Sequence, residues 1–261
     1  MSIRNSSHYR PARPDQPFLL ATDVDGTLLG DEQGVAQLHA FVERYRASLR
    51  LAYVTGRYLF SVRKLVEERR LPAPDYVCSN VGTEISAWDD PQNAAGRKYA
   101  ARISPDWDLE KIYTEGMGEG IRLQDFGEDQ PPFQAGFFWD GRPESLEAFR
   151  QRLADHDGLR ILPSYGEFID VLPAGFGKGE AVRFLQQELG LAPERVVVAG
   201  DAGNDAEMFE TGLQGILPAN ALDELKAVAN QAWHYQSPFP AARGVLDGLH
   251  HFGFLEEVPA S

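Results

Sequence analysis

Two carboxylates two positions apart, Asp23 and Asp25, follow the apolar run Phe18-Leu19-Leu20-Ala21 and precede Gly26 and Thr27. In an extended chain they project to the same side while Val24 points back towards a core. Carboxylates held this close repel, so the pair needs a cation, or one member must carry a proton. Both states are useful in catalysis. Asp23, ionised, could attack phosphorus and form an acyl phosphate; Asp25 could protonate the departing oxygen and later deprotonate the water that releases phosphate. Gly26 lets the chain turn away at once. An ordinary Asx-type turn after a buried strand is the competing reading.

Three further clusters have the same character. Thr55-Gly56-Arg57 offers a hydroxyl, backbone N–H groups and a charged fork, which suit phosphate oxygens, although a helix N-cap also favours threonine. Lys178, in Gly175-Phe176-Gly177-Lys178-Gly179, stands before a helical pattern. Its charge is the wrong sign for the helix dipole there, so either it is a solvated surface lysine or it screens the charge on a nucleophile and a phosphate. Gly200-Asp201-Ala202-Gly203-Asn204-Asp205 places two carboxylates and an amide in a glycine-bearing loop; the bland alternative is an acidic first helical turn. Mg²⁺ takes hard oxygen ligands and keeps several waters, and Asp201, Asp23 and the backbone carbonyl of Asp25 would supply such oxygens. Each cluster alone fits a turn or a cap. All four at successive strand ends of one sheet do not.

The elements that must position these residues follow from periodicity. Phe18 to Thr22, Leu51 to Val54 and Asp75 to Ser79 read as strands, separated by helices over Gly34–Leu49 and Ser61–Arg70. After Pro173 the same rhythm resumes: a helix at Gly179–Leu189, an apolar strand at Arg195–Gly200, a helix start at Asp205–Glu210, a short strand at Gly215–Leu217, then helices at Leu222–Ala229 and Gly244–Phe252. This alternation predicts an α/β fold with a doubly wound, mainly parallel, Rossmann-like sheet. The stretch between is richer in Gly, Pro and aromatics, with helices near Asp108–Gly116 and Pro143–Asp155 and strands at Gln134–Trp139, Leu159–Leu162 and Glu167–Leu172. It reads as an inserted α+β module. The predicted division is a disordered lead-in at 1–16, a core at 17–87 and 170–261, and an insert at 88–169.

Bulk properties bound the partners. The chain has 261 residues and a formal net charge of −14, from 39 acidic and 25 basic side chains. That balance repels nucleic acid and anionic membrane, so neither is an expected partner, and an anionic substrate must be drawn in by a local metal or by Lys and Arg. No apolar run approaches the ~20 residues needed to cross a bilayer. The polar N-terminus lacks the apolar segment of a secretory signal, and the one cysteine, Cys78, cannot form an intrachain disulfide. A cytoplasmic monomer is the expectation.

In order and composition, the four clusters resemble the motifs of the haloacid-dehalogenase-like phosphohydrolase superfamily, over nearly the whole chain after the lead-in; the insert resembles the α+β cap of its second cap class. Within it the chain is most similar to the sucrose-phosphate phosphatase group, through Leu51 to Arg57, Val81-Gly82-Thr83-Glu84-Ile85, Asp170-Val171-Leu172-Pro173 and the tail His250 to Leu255. The resemblance implies an Mg²⁺-dependent sugar-phosphate monoesterase. Asp23 would be the nucleophile and Asp25 the general acid/base; Thr55, Gly56 and Lys178 would hold phosphate. Asp23, Asp25 and Asp201 would hold the metal with support from Asp205, and Arg57, Gly82, Thr83, Glu84 and Asn204 would meet the substrate. The group carries a lysine, a tyrosine and a histidine on the cap strand that here reads Gln134-Ala135-Gly136-Phe137-Phe138-Trp139, and a lysine where this chain has Glu167. These departures leave open a related glycoside phosphate such as mannosylfructose phosphate. Trp88, Trp107 and Trp139 are either sugar platforms or core of the insert. The rival readings are a sugar phosphomutase on the same scaffold, a receiver-type phosphoacceptor domain, and a non-catalytic module associated with a glycosyltransferase.

Overall fold

The structure, a computed structural model, describes residues 15–102, 107–124, 127, 130–164, 166–229 and 232–257. The expected lead-in at 1–16 therefore lies, apart from Asp15 and Gln16, outside the described residues.

The chain begins with β1 (Phe18–Thr22), α1 (Glu32–Tyr45), β2 (Leu49–Val54), α2 (Leu59–Glu67), β3 (Tyr76–Ser79), β4 (Glu84–Ala87) and α3 (Ala94–Ala100). A second group follows: α4 (Leu109–Gly116), β5 (Ile121–Leu123), β6 (Ala135–Trp139), α5 (Pro143–Arg152), β7 (Leu159–Ser164) and β8 (Phe168–Pro173). The last group is α6 (Lys178–Glu188), β9 (Val196–Ala199), α7 (Ala206–Phe209), β10 (Gln214–Leu217), α8 (Asp223–Val228), β11 (His234–Gln236) and α9 (Ala241–His251).

The first and last groups share a seven-stranded sheet ordered β11-β10-β9-β1-β2-β3-β4. Every pairing is parallel except that of β3 with β4. All five residues of β1 are buried, as expected of a central strand covered on both faces. One face packs under α1 and α9 through residues such as Leu38, Phe41, Leu246 and Leu249; the other packs under α6 and α7 through Val182, Leu185 and Met208. The chain leaves β1 for β2 on one side and comes back as β9 on the other. Their carboxyl ends stand in register, Thr22 opposite both Tyr53 and Ala199. That reversal of strand order opens the crevice in which ligands of such sheets bind.

The middle group forms an antiparallel four-stranded sheet ordered β5-β6-β8-β7. Its own core joins Phe137, Ile169 and Val171 to Ile112 of α4 and Phe149 of α5, with the Phe137 and Phe149 rings edge to face at 5.0 Å. Alternation along these strands sends Arg160, Leu162 and Asp170 to the opposite face, which lines a cleft against the large sheet.

The insert expected at 88–169 does not coincide with one packed unit. Tyr99 of α3 is buried in the large sheet's core against Phe176 and Phe184, and β8, which extends past residue 169, pairs inside the small sheet. Trp107 and Trp139 pack against the small module's core, and Trp88 packs against the large core under Arg63, so the tryptophans are structural rather than lining the cleft.

Candidate active site

Four segments converge at the carboxyl edge of β1, β2 and β9. Asp23 continues the ladder, its N–H donating to the Ala199 carbonyl at 2.9 Å. Lys178, the first residue of α6, is fully buried, which removes the surface-lysine reading. Its Nζ donates to Asp23 Oδ1 at 2.7 Å and to Asp205 Oδ1 at 2.6 Å. Asp205 Oδ2 accepts from the N–H groups of Asp201 and Ala202 at 2.9 and 3.1 Å, tightening the loop after β9. Asp201 Oδ1 accepts from the Thr27 hydroxyl at 2.7 Å. Gly26, at φ +78°, leaves room for this: a Cβ there would sit 2.7 Å from the Asp201 carboxyl carbon.

Electrostatics set the site's demand. Burial, against the opposing pull of Lys178 and with Asp205 adding repulsion, pushes Asp23 up to about 7. Burial likewise lifts Asp201 to about 6, Thr27 opposing and Asp205 adding to the rise. Lys178 is held above its ordinary range despite burial, because Asp205 and Asp23 both favour the ammonium. Three carboxylates thus share one lysine. Ligand oxygens of Asp23, Asp201 and Asp205 lie within 4.8 Å of one another, a buried all-oxygen donor set with excess negative charge, which fits a hard divalent cation.

Asp25 is placed differently from the expectation of a carboxyl kept protonated beside other carboxylates. Its side chain is half exposed, and its two oxygens accept from Arg57 Nε and Nη2, each at 2.6 Å. The guanidinium fork grips the carboxyl group through both oxygens. The hydrogen bond that Arg57 donates to Asp25 is also what chiefly raises Arg57. Arg57 itself is spent on Asp25 and on Ser61, at 2.9 Å, in this arrangement. Asp25 was expected among the metal-holding residues, its backbone carbonyl as one ligand, and its carboxylate stands outside the group formed by Asp23, Asp201 and Asp205.

Thr55 is buried, its hydroxyl accepting from the Arg57 N–H at 3.1 Å, and Gly56 is open, with nothing within 4 Å of a Cβ. Gly82 backs onto the Gly177-Lys178 peptide, where a Cβ would meet the Lys178 nitrogen at 2.7 Å. Thr83 donates to the Asn80 carbonyl at 2.9 Å, and Glu84 accepts from the Asn80 amide. Both line a separate depression with Asn93 and Tyr99, not the cleft. Asn204 does line the cleft, of about 310 Å³, with Val81, Arg160, Asp170, Glu207 and Glu224. Sequence reading passed over Arg160, Glu207 and Glu224 as cleft residues, because no local motif marks them, and it quoted Asp170 in the Asp170-Val171-Leu172-Pro173 stretch without placing it in the cleft. It also missed Asn220, whose side chain donates to the Gly26 carbonyl at 2.7 Å and steadies the Asp23 loop from a distant part of the chain.

The model of the family described as sucrose-6F-phosphate phosphohydrolase matches residues 16–253. Mannosylfructose-phosphate phosphatase of Agrobacterium fabrum is 32% identical, over 90% of this chain and 96% of that protein. Glucosylglycerol-phosphate synthase of Pseudomonas anguilliseptica is 29% identical over 91% of this chain, which spans only 31% of that protein's length. The solved sucrose-phosphatase of Synechocystis sp., in complex with sucrose and phosphate, superposes with a TM-score of 0.83 at 30% identity, covering 92% of this chain and 99% of that one.

Proposed function

Because the chain belongs to the sucrose-6F-phosphate phosphohydrolase family, we propose that it hydrolyses a sugar-phosphate monoester through an aspartyl-phosphate on Asp23. The single observation that carries the reading is the Lys178 ammonium between Asp23 and Asp205, with Asp201 alongside. Mannosylfructose phosphate and sucrose phosphate head the candidate substrates, after the relatives' names.

In this mechanism an Asp23 oxygen attacks phosphorus in line, and the bond from phosphorus to the sugar oxygen breaks. Asp25 gives that oxygen a proton. Water then attacks the acyl phosphate, Asp25 takes its proton back, and phosphate leaves with Asp23 regenerated. Arg57 engages both Asp25 oxygens, so Asp25 must leave the guanidinium to reach the sugar oxygen. Lys178 draws Asp23 towards its ionised form, opposing the rise that burial imposes. Thr55 and Gly56 are assigned to the phosphate oxygens, and Arg57 and Asn204 to the substrate beyond them. Asp23, Asp201, Asp205 and the Asp25 carbonyl would hold Mg²⁺. When bound, that ion supplies charge neutralisation between the carboxylates and a phosphate dianion.

The small sheet with α4 and α5 is assigned as the cap, running from about 107 to 173, and the remainder as the core. Closure of this module over the site would exclude bulk water during the reaction. No described helix is long and apolar enough to cross a membrane. A cytoplasmic location, with which the free thiol of Cys78 agrees, and a monomeric state belong to the same reading. Association with the glycosyltransferase that makes the substrate is part of it too, supported by a relative whose name is that of a synthase.

The test is release of inorganic phosphate from a panel of sugar phosphates, with Mg²⁺ and with chelator. Multiple turnovers on a glycoside phosphate, abolished by chelator, are expected. Transfer of phosphate between sugar hydroxyls without free phosphate would replace hydrolysis with a mutase reaction, and a single turnover would leave a phosphoacceptor.

A further inference from the structure

Arg160 of β7 forms an ion pair with Glu207 of α7, across the cleft between the small sheet and the large one. Glu207 does a second thing. Its Oε2 accepts from the Gly179 N–H at 3.3 Å, in the first turn of α6. That turn begins at Gly177, which has no side chain to cap it, so Glu207 supplies from another element the acceptor and negative charge that a helix start calls for. The first residue of the same turn is Lys178. Arg160 also reaches the Phe176 carbonyl, at 3.5 Å. The pair is seated directly on Gly177: a Cβ there would collide with the Glu207 carboxylate and come within 2.9 Å of Arg160 Nη1. Both side chains are largely withdrawn from solvent, at 34% and 16% exposure. The pair therefore joins three things at one point: a strand of the small sheet, the turn that carries Lys178, and the helix that follows Asp205.

We infer that Arg160 and Glu207 are positioning residues that hold the small sheet in register over Lys178, so that the sugar of a large substrate is presented while its phosphate sits at Asp23. The inference rests on the phosphatase reading for its substrate, not for its geometry. It assigns them no contact with the reacting atoms. Their removal should hurt substrates that need both modules and spare those that need only the large one.

The test uses Arg160→Met, Glu207→Gln, the double variant and Arg160→Lys, with p-nitrophenyl phosphate, sucrose phosphate and mannosylfructose phosphate as probes. Glu207→Gln keeps an acceptor for Gly179 and loses the charge. For the sugar phosphate that wild type hydrolyses faster, kcat/KM should fall about tenfold in each single variant and no further in the double, the signature of one shared interaction. On p-nitrophenyl phosphate the loss in every variant should be at least about threefold smaller than on the sugar phosphate, and Arg160→Lys should recover most of the loss on the sugar phosphate. Hydrogen exchange should quicken at the amides of 176–179 and of β7 in Arg160→Met.

Losses that multiply in the double variant, or an equal loss on the aryl phosphate, overturn the inference. So does unchanged exchange. A wild type that cleaves the aryl ester but neither sugar phosphate would remove the proposed substrates, and the exchange measurement would then decide the inference by itself.

Discussion

Lys178 ties the buried site together: one ammonium, no exposure, two carboxylates from loops that are distant in sequence. Its partners were legible because a charged residue at a helix start and carboxylates after apolar strands are each chemically out of place unless they meet. What Asp25 does was not legible, because a two-residue alternation says which way a carboxylate points and nothing about which cation waits there. Arg57 waits there. Two substitutions separate the roles. Asp23→Asn should lower turnover on the order of 10⁴-fold or more on any phosphate ester, since the attacking oxygen is gone. Asp25→Asn should cost a sugar phosphate far more than p-nitrophenyl phosphate, because nitrophenolate departs without a proton. Steady-state rates on the two esters check both, and equal Asp25→Asn losses would take the acid role away from it.

The element that decides the neighbourhood of the Lys178 turn is the tight turn Asn80–Gly82, whose three residues all take positive φ: 52°, 58° and 82°. Asn and Gly tolerate that region; Val81 is β-branched, and its strain is on the order of 1–3 kcal/mol. Neighbours hold it there. Asn80 donates to the Arg57 carbonyl at 3.1 Å, Val81 to the Thr55 carbonyl at 3.0 Å, and the Tyr99 hydroxyl to the Gly82 carbonyl at 2.9 Å. Tyr99→Phe should therefore destabilise the fold by about 1 kcal/mol, one buried hydrogen bond lost with the ring kept, as measured by chemical denaturation. An unchanged midpoint would mean that the hydroxyl is not restraining the turn. The helices and strands flanking the motifs followed from apolar spacing. Those not expected were β4, α3, β5 and β11: two are three-residue edge strands, β4 reverses direction, and α3 is a short helix with Gly96 inside it, none long enough to show a period.

On the scale of the whole molecule the site is a pocket of excess negative charge inside an already acidic protein. Asp23 lies at about 7 in the folded chain against an ordinary 3.8. A raised carboxyl adds stability that is complete below the unfolded value and is lost as pH rises through the folded one. Without metal, then, the wild type should lose stability relative to Asp23→Asn between about pH 4 and pH 8, and Mg²⁺ should restore it at the upper end by binding the folded state alone. Melting temperatures of the two proteins in chelator and in Mg²⁺ test this; a difference that does not vary with pH would rule out the buried, charge-starved Asp23. The candidate motifs and the mainly parallel α/β character of the large sheet were legible in the sequence alone, because both are local: a motif fits in a few residues, and periodicity needs only one element. Tertiary structure alone decided that Asp25 meets Arg57 and that Arg160 meets Glu207. It alone decided which residues wall the cleft. Of the small sheet, β7 and β8 supply that wall, through Arg160, Leu162, Pro163 and Asp170, and which core residues they face depends on how two separately packed sheets come together.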